Sequence, residues 1–469
     1  MSFVSGGFFL FLPLTVLAYW LCPAKQRYLV LLAASLIFYM GWSIPLTGLL
    51  LAVTLLNWAG CLLVEKNKSR LLLAGLLVLI FSPLAVCKYA GFFAQPLHTW
   101  FGWPGNQVMD ALGRIVLPAG ISFYTFQAVS CVIDVYRGQM PAERNLLRFT
   151  LFVCFFPQLV AGPIERGRDL LPQLKTPRVF CRDDMRAGVR LLLVGFFRKI
   201  CLADVLAVYV DRVYAGASPD GSAVAIGTFL FAFQIYNDFC GYSEIAMGSA
   251  RLLGIRLTRN FREPYLAAGI RDFWRRWHIT LGSWFRSYVY FPLGGSRRGK
   301  ARQLLASGAV FLLSGLWHGA EWTFVAWGAL HALYYTAETA VCGKKRRAEG
   351  WRACLAVPVT FAAVLFSWVL FRADDMGHAV LLYKALFSPW DVLQGWEQCG
   401  LGIREILHAA MMLALLLPLG RWGHRAPEQS SALRDRDAAV GALLVLLIAL
   451  CWLSGMGGEG QNAFIYFQF

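Results

Sequence analysis

The chain has 469 residues, of which 58% are hydrophobic and only 15% are charged, whereas about 25% of residues are charged in an ordinary soluble protein. The mean hydropathy is +0.54 and the net charge is +17. These values exclude a soluble globular chain and predict an all-α polytopic membrane protein, because a bilayer-spanning helix needs about 20 mostly apolar residues. Lys and Arg collect in the cytoplasmic loops of such proteins, so the positive charge does not indicate nucleic-acid binding.

The N-terminal part of the chain predicts four membrane segments. Residues 7–22 form the first, residues 28–64 form a hairpin that breaks at 41–45, and residues 71–87 cross outward. Basic residues follow the first segment rather than precede it, which predicts a retained span with its N-terminus outside the cytoplasm. Residues 91–107, with their tryptophans and prolines, are expected to form an outer interfacial segment.

The middle of the chain returns to the membrane over residues 112–132. Residues 149–164 are apolar but broken by Pro157, which favours a re-entrant hairpin, because irregular backbone at membrane depth must be buried or line a cavity. The charged residues 165–190 are expected in the cytoplasm. The remaining predicted segments are 200–214, 222–250, 303–320, 322–340, 353–371, 404–420 and 438–458, giving about 11–13 membrane segments in a single domain, residues 1–469.

The strongest charge bias lies between Arg251 and Arg302, a stretch that contains twelve Lys and Arg but only two acidic residues. Within it, residues at helical spacing from 271 to 290 would share one aromatic face: Phe273, Trp277, Leu281, Trp284 and Tyr288. One interpretation is an amphipathic helix in the membrane interface. The other is that this stretch borders a cavity, with arginines that bind donor phosphates and with His278 pointing inward.

His318 ends an apolar run that is rich in small residues. An intramembrane histidine is costly and indicates either an interhelical hydrogen bond or a functional group. The functional interpretation is a general base, because a neutral imidazole can take a proton from an acceptor hydroxyl. Gly315 and Gly319 flank His318 and would let a substrate approach the backbone.

A polar cluster interrupts the predicted span 222–250. It contains Asn237, Asp238, Tyr242 and Glu244. The two acids would either pair with arginines of the basic stretch or line a substrate site. The twelve scattered cysteines predict neither a disulfide framework nor a metal site, and motifs of metalloproteases, serine hydrolases and P-loop ATPases are missing.

Six ordered motifs cover nearly the whole chain: LPAGISFY (117–124), FPQLVAGPI (156–164), YNDFCGYS (236–243), FWRRWHITL (273–281), LWHGA (316–320) and FIYFQF (464–469). In these motifs the chain resembles the membrane-bound O-acyltransferase (MBOAT) family, in its bacterial alginate O-acetyltransferase branch, which is related to the D-alanyl transferase of teichoic acid. The resemblance implies a helical core with re-entrant segments, approximately residues 110–345, and a funnel through the membrane.

The resemblance also implies the chemistry. His318 matches the catalytic histidine and His278 the second motif histidine. The donor would be a cytoplasmic thioester, acetyl-CoA or another acyl thioester, with no permanently bound cofactor. The candidate substrate- and donor-binding residues are Asn237, Asp238, Tyr242, Trp274, Arg275, Arg276, Trp277 and Trp317.

The expected location is a bacterial inner membrane, and the expected product is an O-acetylated exopolysaccharide such as alginate. The expected partners are membrane lipid, an acyl-CoA or acyl carrier, and a separate extracytoplasmic esterase-like protein that completes transfer. Transfer of D-alanine and acetylation of peptidoglycan remain open. A transporter or flippase is the alternative from another class, although the sequence lacks the internal repeat typical of transporters.

Overall fold

A computed structural model of the chain describes residues 1–93, 117–160, 162–342, 351–425, 431–453 and 464–465. All regular secondary structure in these residues is helical. The α-helices are α1 (Gly6–Leu21), α2 (Arg27–Met40), α3 (Ile44–Lys66), α4 (Arg70–Leu84), α5 (Ile121–Tyr136), α6 (Leu146–Cys154), α7 (Phe156–Leu159), α8 (Gly167–Lys175), α9 (Arg182–Phe196), α10 (Asp204–Tyr214), α11 (Gly221–Leu252), α12 (Ile270–Arg276), α13 (Ile279–Phe285), α14 (Lys300–His318), α15 (Trp322–Cys342), α16 (Trp351–Arg372), α17 (Met376–Phe387), α18 (Val392–Cys399), α19 (Ile403–Gly423) and α20 (Ser431–Leu453).

The chain is an all-α polytopic membrane protein. Six helical stretches of the described chain are long and apolar enough to cross a bilayer: α3, residues 70–93 from α4 onward, α11, α19, and most of α16 and α20. Shorter apolar helices are α1, α2, α5 and α17. The expected interfacial segment 91–107 lies outside the described residues from position 94, as does the C-terminal motif apart from residues 464–465.

Helix contacts divide the chain into two compact units. The first contains residues 1–181 and 249–258, and the second contains residues 182–248 and 259–469. In the first unit, the predicted hairpin breaks between α2 and α3 as expected. The Ser43 side chain there accepts a hydrogen bond from the Leu46 N–H and caps α3.

The predicted re-entrant segment of the first unit is a broken helix. α6 ends at Cys154, and α7 is a single turn that carries Pro157. The backbone carbonyl of Phe152 accepts hydrogen bonds from Gln127 Nε2 (2.5 Å) and Gln158 Nε2 (3.0 Å). These two buried amides satisfy backbone polarity where the helix is interrupted, as a segment excluded from water requires.

In the second unit, α9 and α10 are joined by a π-helical segment, Phe197–Ala203. Two cations of this segment are buried against acids of α11. Arg198 Nε lies 2.8 Å from Glu244, and Lys199 Nζ lies 2.7 Å from Asp238. The direct ion pairs of these acids therefore come from the π-helical segment, and Arg259 of the basic stretch 251–302 adds a longer-range electrostatic interaction with Glu244. The ion pairs stabilise the packing of α11, because a buried charge without a partner is costly.

Candidate active site

The basic aromatic stretch is two short helices rather than one. α12 ends at Arg276, α13 begins at Ile279, and His278 between them has φ 43° and ψ 54°. The predicted continuous helix was wrong, and the four aromatic residues and one leucine of its expected apolar face contact protein rather than a membrane interface. All five are buried: Phe273, Trp277, Leu281, Trp284 and Tyr288. This left-handed backbone conformation is uncommon for a residue other than glycine, and such residues cluster at functional sites.

Asn260 fixes the orientation of His278. Its side-chain oxygen accepts hydrogen bonds from the Thr280 N–H (3.2 Å) and hydroxyl (2.8 Å), and it lies 3.3 Å from His278 Nδ1. Because an amide oxygen only accepts, Nδ1 carries the proton and Nε2 carries the lone pair. Burial lowers the pKa of His278 to about 3, so this imidazole is neutral at physiological pH.

His318 is the last residue of α14 and is 2% exposed. Its ring centre lies 6.4 Å from that of His278, and the Trp317 ring packs against both, at 5.7 Å from His278 and 5.1 Å from His318. Trp327 closes the other side of His318 at 5.2 Å. The carbonyl dipoles at the C-terminal end of a helix stabilise an imidazolium, which suits a residue that must accept a proton.

The position of His318 depends on close backbone packing between α14 and α15. A β-carbon at Gly315 would overlap the backbone carbonyl oxygen of Phe324, and one at Gly328 would overlap that of Phe311. The two glycines therefore let the helices approach to backbone contact. By contrast, Gly308, which lies earlier in α14, has open space around it.

Gly315→Ala is therefore expected to destabilise the protein by about 1–3 kcal/mol and to lower acyl transfer, because separation of α14 from α15 displaces His318. The matched control is Gly308→Ala in the same helix, which is expected to leave activity intact and to stabilise the helix by up to about 1 kcal/mol. Thermal unfolding in detergent and a transfer assay check both. Equal melting temperatures and equal transfer activities of the two variants would contradict the role of Gly315 in helix packing.

A cavity of ≈ 270 Å³ lies beside this pair. Of the residues predicted for the site, His278 and Trp274 line it, whereas His318 and Trp317 contact His278 but are not among the lining residues. Its polar lining also includes Arg286, Tyr290, Ser307, Ser314 and Tyr335. The sequence singled out Arg275 and Arg276 rather than Arg286 of the same stretch, because helical periodicity alone does not show which arginine faces a cavity.

The arginines proposed for donor phosphates have different surroundings. Arg275 is exposed, while Arg276 pairs with Asp272 at 3.0 Å. Trp277 is buried and stacks on Phe273 at 5.6 Å. Neither arginine is among the residues that line the 270 Å³ cavity.

His331 of α15 supports the cavity wall. Its Nδ1 lies 3.3 Å from the Trp274 indole N–H, and its Nε2 lies 3.0 Å from the Ser367 hydroxyl. Because an indole N–H only donates, His331 Nδ1 accepts this bond and Nε2 carries the proton. His331 thereby holds Trp274 in place at the cavity.

The polar residues of α11 form a charged network rather than the lining of this cavity. Asn237 accepts a hydrogen bond from Arg198 (3.0 Å), and Asp238 accepts one from the Ile465 N–H (2.7 Å). The Tyr242 ring packs against Phe464 at 4.5 Å. These contacts show that the three predicted substrate-binding residues are held by the protein itself.

Comparison with known proteins gives one consistent result. Residues 141–370 match the model of the MBOAT, membrane-bound O-acyltransferase, family. The chain is 35% identical to a probable alginate O-acetylase AlgI of Pseudomonas putida, over 100% of both chains, and 37% identical to that of Pseudomonas aeruginosa, over 88% of this chain and 81% of the relative. It is 32% identical to a peptidoglycan O-acetyltransferase of Helicobacter pylori, over 84% of this chain and 80% of the relative.

Proposed function

The chain belongs to the membrane-bound O-acyltransferase family, and from this premise we propose that it moves acetyl groups from a cytoplasmic thioester to an exopolysaccharide such as alginate. It is an integral-membrane O-acyltransferase. The observation that carries the proposal is the His278–His318 pair, 6.4 Å apart beside a cavity, in a chain matched end to end by an alginate O-acetylase.

We propose acetyl-CoA as the donor. A CoA thioester is a polyanion, and guanidinium groups bind phosphate through paired hydrogen bonds. Arg286 lines the cavity next to His278, and Arg275 and Arg276 lie on the preceding helix. These three arginines are the proposed donor-binding residues, and Trp274 is the proposed wall of the donor cavity.

The two histidines have different proposed roles. His278 is neutral, with its proton on Nδ1, so its Nε2 can only accept a hydrogen bond. It therefore suits orientation of the acceptor through a second hydroxyl, next to the one that reacts, rather than polarisation of the thioester carbonyl. His318 is the proposed general base, because the carbonyl dipoles at the C-terminal end of α14 favour the imidazolium that it forms on accepting a proton.

In the proposed reaction, His318 removes the proton of the acceptor hydroxyl as the oxygen attacks the acetyl carbonyl carbon. A C–O bond forms, the C–S bond of the thioester breaks, and the proton held by His318 passes to the leaving thiolate. The acetyl group thus becomes an ester of the acceptor and the donor becomes a free thiol. Burial of both imidazoles keeps water, the competing acceptor, away from the site.

We place the enzyme in the bacterial inner membrane with its N-terminus outside the cytoplasm. We further propose that a separate extracytoplasmic, esterase-like protein passes the acetyl group to the polysaccharide. The names of the relatives support polysaccharide acetylation, and the peptidoglycan O-acetyltransferase relative favours peptidoglycan as the second candidate acceptor.

The test is acetyl transfer in sealed, inside-out membrane vesicles from cells that carry this chain and an exopolysaccharide pathway. Acetyl-CoA with a labelled acetyl group is added outside, where the cytoplasmic face is exposed. We expect label in alkali-labile esters of the exopolysaccharide, and none in vesicles without the chain. Label found in peptidoglycan instead would overturn the proposed acceptor. Transfer of D-alanine from a charged carrier protein, without use of acetyl-CoA, would overturn the proposed donor.

A further inference from the structure

A second cavity, of ≈ 430 Å³, lies within the second unit, away from the histidine pair. Its walls are mostly apolar and come from two candidate membrane spans: Val357, Pro358 and Phe361 of α16, and Leu413, Leu416 and Leu417 of α19. The volume is within the range of small-molecule sites. Only 39% and 22% of the residues in the apolar windows of α16 and α19 are buried inside the protein, so both helices also face the surrounding lipid.

Two opposite charges line this cavity without neutralising each other. The side chains of Arg259 and Glu263, from the loop between α11 and α12, make neither an ion pair nor a hydrogen bond with any residue that the structure describes. The third charged residue of the lining, Arg198, is already paired with Glu244 and bonded to Asn237. Arg259 also acts on Glu244 through its charge, but Glu244 is shared with Arg198. The cavity thus presents a half-buried cation and a half-buried anion, neither in a direct ion pair within the described residues, next to apolar walls.

The backbone at Glu263 gives a second, independent indication of a ligand site. Glu263 has φ 42° and ψ 64°, in the left-handed region that side chains other than that of glycine rarely adopt. Pro264 follows it and begins a short 3₁₀ turn. Strained residues of this kind cluster at ligand-binding sites, where the strain holds a functional side chain in position.

We propose that this cavity binds one zwitterionic phospholipid with an ethanolamine headgroup. The phosphate would bind the Arg259 guanidinium, and the primary ammonium would donate hydrogen bonds to the Glu263 carboxylate. An acyl chain would fill the apolar space between α16 and α19. An anionic phospholipid satisfies Arg259 but leaves Glu263 without a cation, so the charge pattern favours the zwitterion. This site is separate from the proposed acetyl transfer and does not depend on it.

The experiment is native mass spectrometry of the full-length protein, delipidated in detergent and then given dioleoyl phosphatidylethanolamine or dioleoyl phosphatidylglycerol. We expect one retained phosphatidylethanolamine, bound about tenfold or more tightly than phosphatidylglycerol, since one charge-assisted hydrogen bond accounts for roughly that factor. Arg259→Gln should weaken retention of both lipids. Glu263→Gln should weaken the retention of phosphatidylethanolamine alone, and should thereby abolish its preference over phosphatidylglycerol.

The matched control is Arg421→Gln, which removes an exposed arginine at the end of α19 and should leave both affinities unchanged. Each variant is first checked for a wild-type elution volume and melting temperature. Leu413→Trp supplies a second measurement, because a bulky side chain in the apolar wall should expel either lipid regardless of headgroup. A preference for phosphatidylglycerol, or equal retention by Glu263→Gln and the wild type, would overturn the proposal.

Discussion

His318→Ala is expected to lower acetyl transfer by about 10²–10⁴-fold, which is the usual contribution of a positioned general base. His318 ends α14 and is enclosed by Trp317 and Trp327, whereas His278, 6.4 Å away, is held by Asn260 at its Nδ1 and has the separate role of orienting the acceptor. The measurement is the ester content of exopolysaccharide, together with transfer in vesicles normalised to the amount of folded protein.

His331→Ala is the control for loss of packing, because it removes an equally buried imidazole from α15. It is expected to lower the melting temperature at least as much as His318→Ala does and to keep more than about a tenth of the activity. If His318→Ala were as active as His331→Ala, the assignment of His318 as the base would be lost.

Asn260→Asp is expected to make the activity pH-dependent. A carboxylate about 3.3 Å from His278 Nδ1 favours the charged imidazole and raises its pKa from about 3 toward or beyond the ordinary 6.5. Below the new pKa, Nε2 is protonated and can no longer accept a hydrogen bond from the second hydroxyl that orients the acceptor. The variant should therefore lose activity as the pH falls from 8 to 5, whereas wild-type His278 stays neutral throughout that range.

The stability of the same variant should change in the opposite sense. In the wild type the folded-state pKa of His278 is depressed, so its contribution to stability is present above about pH 6.5 and is lost as the pH falls toward about 3. In Asn260→Asp the folded-state pKa of His278 is less depressed, so the protein should lose less stability as the pH falls. Thr280→Val is the control, since it removes one hydrogen bond to Asn260 without changing the charge beside His278. Identical pH–activity profiles for Asn260→Asp and the wild type would disprove the positioning role.

The long helices could be predicted from the sequence because apolar runs and helix-ending residues are local signals. The break between α2 and α3 illustrates this, with Ser43 as the cap and a proline two residues later. The six motifs likewise identified the family, and with it the two histidines that the structure brings within 6.4 Å. That these histidines are the catalytic ones stays a prediction.

Other features could not be predicted because they depend on contacts distant in sequence. The break at His278 is stabilised by Asn260, whose carbonyl oxygen accepts from the Ile279 N–H at 2.9 Å, and helical periodicity continued through the break without a signal. For Asp238 and Glu244, the sequence indicated partners among the arginines of the basic stretch, where arginines are most numerous. Pairing in space depends instead on the packing register of α9 and α11, which places Arg198 and Lys199 beside them.

The π-helical segment Phe197–Ala203 has a consequence for how this protein can change during evolution. A π turn holds one residue more than an α turn, so it has the geometry of a single insertion absorbed within a continuous helix. Deletion of one residue there would restore a regular helix but rotate everything on one side of it by about 100°. Arg198 and Lys199 would then no longer both reach their acids on α11. The ion pairs thus act as a barrier to deletion, and length variation among descendants of this gene should accumulate outside the segment.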